Sequence, residues 1–381
     1  MTQAIDAVLQ RAVETGQVQG AVALAANDSG ITYRGAFGLR EIGKPTPMGF
    51  DTTFRLHSMT KAVTGMAAMQ LVEQRKLSLD GPLKELLPGL AAPKVLEGFD
   101  GDKPRLRPAR GDITLRQLLT HTAGFGYETW NADLKRYHEI TGLPGVGSGK
   151  LEGLNSPLIF DPGSRWQYSI AIDWAGRAVE AASGLDLESY FRRHIFEPLG
   201  MKDTAFRATE EQRARRATMH GRDAAGVLAP MVINRPEFGE FFGGGGGLYG
   251  TMPDYLAFAR ALLANGGGLV RPETMAEMSC NNIGDLDVEP MHSVMPNMSL
   301  LADFWPGMRC KWGLTFLINT ETTPQGRSAG SLAWAGLSNL FFWVDPVKRV
   351  TGVFATQILP FFDPGAMATF RAWETELYRS T

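Results

Sequence analysis

The sequence predicts a mixed α/β (α+β) fold, with an antiparallel sheet flanked by helices and a mostly helical second domain. Three observations predict it. Strand-like runs cluster towards both chain ends, the long middle is rich in Gly, Pro and helix signals, and an amphipathic helix opens and closes the chain. A chain of 381 residues is long enough for two domains or one elaborate one. The expected division is an α/β domain from residues 1–90 and 306–381, its sheet drawn from both ends, and a helical domain from residues 91–305 whose loops rim a cleft.

In chain order, Thr2 to Thr15 carries Ile5, Val8, Leu9 and Val13 on one side of a helix, with Asp6, Gln10, Arg11 and Glu14 among the polar positions. Ala21 to Ala26 and Ile31 to Gly38 flank Asn27-Asp28-Ser29-Gly30 and read as a hairpin. Thr52 to His57 is β-like and leads into a long apolar helix from Ser58 to Arg75. Ile113 to Thr120, Ile170 to Ala182, Leu187 to Ile195 and Tyr255 to Ala264 follow as helices, the last stopped by Asn265-Gly266-Gly267-Gly268. Lys103 to Gly111, Gly142 to Gly153 and Asp285 to Met308 read as loops. Trp312 to Ile318, Ser331 to Gly336, Leu340 to Asp345 and Val350 to Thr356 are strand candidates, and Pro364 to Tyr378 is the closing helix.

Composition narrows the function. Hydrophobic residues are 44% and charged residues 20%, with a formal net charge of −2. That balance argues against nucleic acid and anionic membranes as partners and favours a small neutral or amphiphilic molecule; protein partners are not readable. Two cysteines make no disulfide framework and suit a reducing compartment. With neither a leader pattern nor a spanning stretch, a cytoplasmic location is the expectation. The six histidines form no metal pair, since Gly142 follows His138-Glu139 where a zinc helix needs its second His; no metal and no cofactor are expected.

Chemistry concentrates in three segments. Ser58-Met59-Thr60-Lys61 places a hydroxyl and an amine a turn apart on one helical face. At a helix N-terminus the free N–H groups favour the negative charge that acyl transfer develops. Met59, Ala62, Val63, Met66, Ala67, Met69, Leu71 and Val72 leave this helix little polar surface, and burial favours the neutral amine that can accept a proton. An S-x-x-K is otherwise only a capping Ser and a solvated Lys. Asp161 to Ile170 is a turn running into a helix, with Tyr168 at its tip; such a phenol either passes protons or packs against Trp166. In Trp334-Ala335-Gly336-Leu337, Gly336 lets backbone approach a ligand, so that the N–H groups of Ser58 and Leu337 could form an oxyanion hole; a strand bulge is the alternative.

With these segments in order, and with Leu115 to Gly124 and Gly245 to Gly250 in support, the chain resembles the serine β-lactamase and penicillin-binding-protein superfamily over nearly its whole length. It is most similar to the family VIII carboxylesterases, which look like class C β-lactamases. The resemblance implies a β-lactamase-like fold with a cleft between its parts. It also implies that Ser58 is the nucleophile, Lys61 its base, Tyr168 the proton relay and Trp334 a pocket wall, with Ala335, Gly336 and Ile170 at the substrate. Whether Lys61 or Tyr168 is the general base stays open. Penicillin-recognising members usually have Lys-Thr-Gly and Tyr-x-Asn where this chain has Trp334-Ala335-Gly336 and Tyr168-Ser169-Ile170. Loss of that cation disfavours a carboxylate-bearing lactam and leaves a neutral ester unaffected. The expectation is a serine carboxylesterase for short-chain esters. The rivals are a β-lactamase or D-amino-acid peptidase or amidase of the same fold, and a catalytically silent ligand-binding domain.

Two other motifs lack the context their chemistry needs. Gly326-Arg327-Ser328-Ala329-Gly330 matches a nucleophile elbow but lies between two strand candidates. Gly245 to Gly250 matches G-x-G-x-x-G without a parallel-strand unit around it.

Overall fold

A computed structural model describes residues 2–233 and 239–380. Its principal sheet has seven strands: β1 (Gly20–Asn27), β2 (Gly30–Gly38), β3 (Cys310–Trp312), β4 (Leu317–Asn319), β5 (Leu332–Gly336), β6 (Leu340–Asp345) and β7 (Val350–Ala355). They lie in the order β2-β1-β7-β6-β5-β4-β3, antiparallel throughout. The two chain ends meet where Leu24 on β1 pairs with Val353 on β7. The five longest helices among the described residues are α1 (Thr2–Glu14), α2 (Thr60–Glu73), α3 (Ala171–Ser183), α4 (Met252–Leu263) and α5 (Pro364–Arg379).

Side chains alternate faces along a strand, and β6 shows what each face meets. Phe341 stacks on Phe370 of α5 with ring centroids 4.3 Å apart, and Trp343 meets Trp373 edge-on at 5.2 Å. Phe342 points the other way, onto Tyr255 of α4 at 5.2 Å. Both faces are covered, which is why Leu340 to Val344 is an unbroken apolar run, all of it buried.

Four expectations are revised. Trp312 to Ile318 forms a hairpin rather than one strand: Gly313 N–H bonds Phe316 O at 2.8 Å, and Thr315 takes a left-handed φ of 77°. Lys103 to Gly111 is largely paired backbone, since Lys94–Asp100 and Lys103–Pro108 form an antiparallel ladder with mostly charged or exposed faces. The 252–263 helix, assigned to the helical middle, packs on the sheet through Tyr255. The helix expected from Ser58 opens with a 3-10 turn, His57–Met59, before α2 starts at Thr60.

The elbow-like Gly326 to Gly330 serves structure. Arg327 is 2% exposed and pairs with Glu374 of α5, itself 1% exposed, while the Ser328 N–H bonds Asp345 at 2.9 Å. Burial pushes the Glu374 carboxyl above its ordinary range, against the pull of Arg327. Truncating one partner of such a pair strands the other charge. Glu374→Ala is expected to lower the unfolding free energy by about 3–5 kcal/mol, measured as a shift in urea midpoint at unchanged m-value.

Candidate active site

The polypeptide reaches Ser58 under tight backbone control. Phe54–Arg55 pairs with Tyr249–Gly250, Leu56 N–H bonds Leu248 O at 2.9 Å, and His57 turns the chain with φ at 48°, a costly value for a side-chain-bearing residue. The turn sets Ser58 at the mouth of α2, in a cleft of about 430 Å³ that Tyr127, Tyr168 and Leu337 also line.

Lys61 is fully buried. Its Nζ lies 3.2 Å from Ser58 Oγ, 3.0 Å from Tyr127 Oη and 2.6 Å from Gly245 O. A carbonyl can only accept, so one N–H is committed to Gly245, and the two hydroxyls compete for the rest of the nitrogen. Gly245 is held in turn: its N–H bonds Asp173 Oδ1 at 2.9 Å, and a Cβ there would come within 2.4 Å of Asp173 Oδ2. Asp173 is buried, and desolvation raises its carboxyl pKa against the opposing pull of Lys61. The glycine run that mimics a dinucleotide loop thus seats the lysine.

Tyr168 does not meet the lysine through its hydroxyl. Lys61 Nζ stands 4.8 Å from the Tyr168 ring centroid, and Tyr168 Oη accepts from Trp334 Nε1 at 3.2 Å. Among the described residues, the phenol within hydrogen-bond reach of Lys61 is Tyr127. Sequence reading passed over Tyr127, although it lies three residues beyond the Leu115 to Gly124 stretch. The available signal was an aromatic residue in a glycine-bearing loop that follows a capped helix, Leu115–Leu119.

His121 and Ser169 back Tyr168. The His121 ring centroid is 4.8 Å from that of Tyr168, and His121 Nδ1 lies 3.0 Å from Ser169 Oγ. Burial, reinforced by the charge of Lys61, holds the His121 pKa well below its ordinary value, so the ring packs as a neutral imidazole.

At the end of β5, a Cβ on Gly336 would come within 2.5 Å of Leu56 O. This is the close approach for which glycine is needed, and it brings Leu337 to the cleft that Ser58 lines. Trp334, Ala335 and Ile170, expected at the substrate, are at most 3% exposed, and neither they nor Gly336 line the cleft. The Trp334 ring instead packs against Tyr168, Phe304 and Trp312, and Ile170 is covered at the start of α3. Among the described residues no group of three or more His, Cys, Asp or Glu could hold a metal, and no helix is long and apolar enough to cross a membrane.

Residues 5–376 match the Beta-lactamase family model. The chain belongs to the β-lactamase family. Among its relatives, the monacolin J acid methylbutanoyltransferase of Aspergillus terreus is 34% identical over 98% of this chain and 95% of its own. The lovastatin esterase of Penicillium rubens is 33% identical over 98% of each. The LovD6 mutant of simvastatin synthase (LovD) from Aspergillus terreus superposes with a TM-score of 0.87 at 32% identity, covering 99% of this chain and 96% of that one. EstCE1, a hydrolase with promiscuous acyltransferase activity, gives 0.79 at 26% identity, with 99% and 98% covered. This family member is therefore a serine hydrolase or acyltransferase of the β-lactamase fold.

Gly336→Ala tests the close approach directly. The added methyl has nowhere to go but against Leu56 O, so the β5 end must shift, and acyl transfer is expected to fall about 10²–10³-fold, the usual cost of losing one oxyanion donor. Acylation by p-nitrophenyl butyrate, followed in single turnover, measures it.

Proposed function

We propose that this chain is a serine esterase and acyltransferase that works through an acyl-enzyme on Ser58. The observation that carries the proposal is the fully buried Lys61 amine, 3.2 Å from Ser58 Oγ and 3.0 Å from Tyr127 Oη. In this reading Ser58 Oγ attacks the ester carbonyl as Lys61 takes its proton, and the N–H groups of Ser58 and Leu337 stabilise the oxyanion. The proton returns to the departing alkoxide through a phenol. The hydrogen bond to Lys61 supports Tyr127 for that transfer, with Tyr168 shaping the wall beside it. Water or a second alcohol then attacks the acyl-enzyme, giving hydrolysis or transfer by the same steps in reverse.

The relatives support both outcomes, one being named an esterase and another a methylbutanoyltransferase, and that acyl group favours a short acyl chain for this protein also. Arg55 refines the substrate. It lines the cleft with its guanidinium 5.2 Å from the Tyr249 ring centroid, and no carboxylate among the described residues pairs with it. A cation so placed suits an acyl acceptor that carries an acid, as the name of the transferase relative suggests.

Four measurements test this reading. On p-nitrophenyl butyrate, Ser58→Ala and Lys61→Ala are expected to lose about 10⁴-fold or more in kcat, while Ser328→Ala stays at wild-type rate. Nitrocefin hydrolysed faster than the ester would instead make the protein a β-lactamase. Tyr127→Phe is expected to cost about 10²–10⁴-fold, the range for one positioned proton donor; a Tyr168→Phe defect larger than that of Tyr127→Phe would return the relay to Tyr168. Arg55→Leu is expected to raise KM about tenfold or more for a carboxylate-bearing alcohol acceptor and to leave KM for p-nitrophenyl butyrate unchanged.

A further inference from the structure

The glycine run at 243–247 is a tight turn pinned from two helices. Gly243 O accepts from the Gly246 and Gly247 N–H groups at 3.1 and 2.9 Å. Helix α2 reaches the turn through Thr64 Oγ1, which donates to Gly244 O at 2.7 Å, and through Lys61 Nζ, which donates to Gly245 O at 2.6 Å. The other anchor comes from α3. Asp173, in the first turn of that helix and 3% exposed, accepts from the Gly245 N–H at 2.9 Å. Both main-chain groups of Gly245 are thus committed, the N–H to a carboxyl on α3 and the carbonyl to the amine on α2.

This matters because a lysine amine rides on a long flexible stem, so the place of Lys61 Nζ beside Ser58 Oγ is set by its bonds as well as by α2. The shortest of those bonds runs to Gly245 O. Gly245 has no side chain of its own to pack, and it fits closely against its anchor: a Cβ there would meet Asp173 Oδ2 at 2.4 Å, Cγ at 2.9 Å and Oδ1 at 3.1 Å. Asp173 follows Tyr168 on one short segment, so the stretch that carries the phenol also carries the support of the base.

We propose that Asp173 is the positioning residue of the general base, holding the Gly245 carbonyl where it keeps Lys61 Nζ against Ser58 Oγ. The role rests on the esterase reading, in which Lys61 takes the Ser58 proton. It calls for an acceptor oxygen at this point rather than for a charge, since an amide oxygen accepts from an N–H as a carboxyl oxygen does.

The test is the kinetics of p-nitrophenyl butyrate hydrolysis, with circular dichroism and thermal midpoint checking the fold of each variant. Asp173→Ala is expected to lower kcat about 10²-fold, the cost of misplacing a reacting group by about 1 Å, and to leave KM within about twofold of wild type. Asp173→Asn keeps the acceptor and is expected to recover all but about threefold of that loss. Gly245→Ala is expected to lower kcat about tenfold or more by driving the Asp173 side chain away. Added to Asp173→Ala it should cost nothing further, because the atoms its methyl strikes are gone. Wild-type kcat in Asp173→Ala or in Gly245→Ala, a defect confined to KM, an Asp173→Asn enzyme no better than Asp173→Ala, or losses that multiply in the double variant would each overturn the proposal. If Asp173→Ala does not fold, the kcat of Gly245→Ala decides alone. Lys61→Ala separates this role from the reading beneath it: an active Lys61→Ala sinks the esterase mechanism, whereas an inactive Lys61→Ala beside a fully active Asp173→Ala overturns the anchor only.

Discussion

The structure depends on keeping one amine out of water. A buried amine left without hydrogen-bond partners is costly, so the Lys61 Nζ must be supplied with partners, two of them from distant parts of the chain. Gly245 O, Tyr127 Oη and Ser58 Oγ provide them, and Asp173 enters through the Gly245 N–H. Tyr127 and Gly245 lie 66 and 184 positions from Lys61, so this polar cluster ties three separate stretches of chain to α2. Glycine at 245 follows from the same requirement, since any side chain there would collide with the Asp173 carboxylate.

The sheet solves a second problem, bringing the main chain at Leu337 to the cleft that Ser58 lines just ahead of α2. β5 is paired with β6 along its whole length but with β4 only at Leu332 and Ala333, so its last three residues, Trp334 to Gly336, have a strand on one side alone. Gly336 touches the backbone before Ser58, at Leu56 O, and the β1–β7 pairing that closes the chain ends holds this region of the sheet in place. Residues more than 270 positions apart are therefore set against each other where β5 ends and where the chain enters the turn before α2, and such a fixed juxtaposition preserves geometry in a reacting site.

The parts of this design that were legible in the sequence are those with a local period or a local motif. The β1–β2 hairpin around Asn27-Asp28-Ser29-Gly30, the apolar helix after Ser58 and the three motif segments all rest on neighbouring residues. What sequence reading missed depends on contacts between remote segments. The role of Tyr127 is set by a lysine 66 positions away, which no spacing rule encodes. The placement of α4 depends on Tyr255 finding Phe342. The hairpin at 313–316 hid inside an apolar run because its turn uses Gly313 and a strained Thr315 rather than an Asn-Gly pair. Ile170, Trp334 and Ala335 were expected at the substrate from the family resemblance of their motifs, yet packing buries all three and none lines the cleft.

Trp334 shows how exchanging one residue redirects a site. The family's lactam-recognising members usually place a lysine ammonium there, a point charge able to bind an anion from the substrate. An indole offers a single N–H, and here that donor is directed to Tyr168 Oη, so the position contributes a neutral hydrogen bond and a broad apolar face. The cleft lining does include a cation close to Ser58 in sequence, Arg55, which no carboxylate among the described residues pairs. Trp334 Nε1–H donates to the Tyr168 oxygen, the Tyr168 ring stands 4.8 Å from Lys61 Nζ, and the hydroxyl within hydrogen-bond reach of that amine is Tyr127's, the geometry on which the proposed relay through Tyr127 rests.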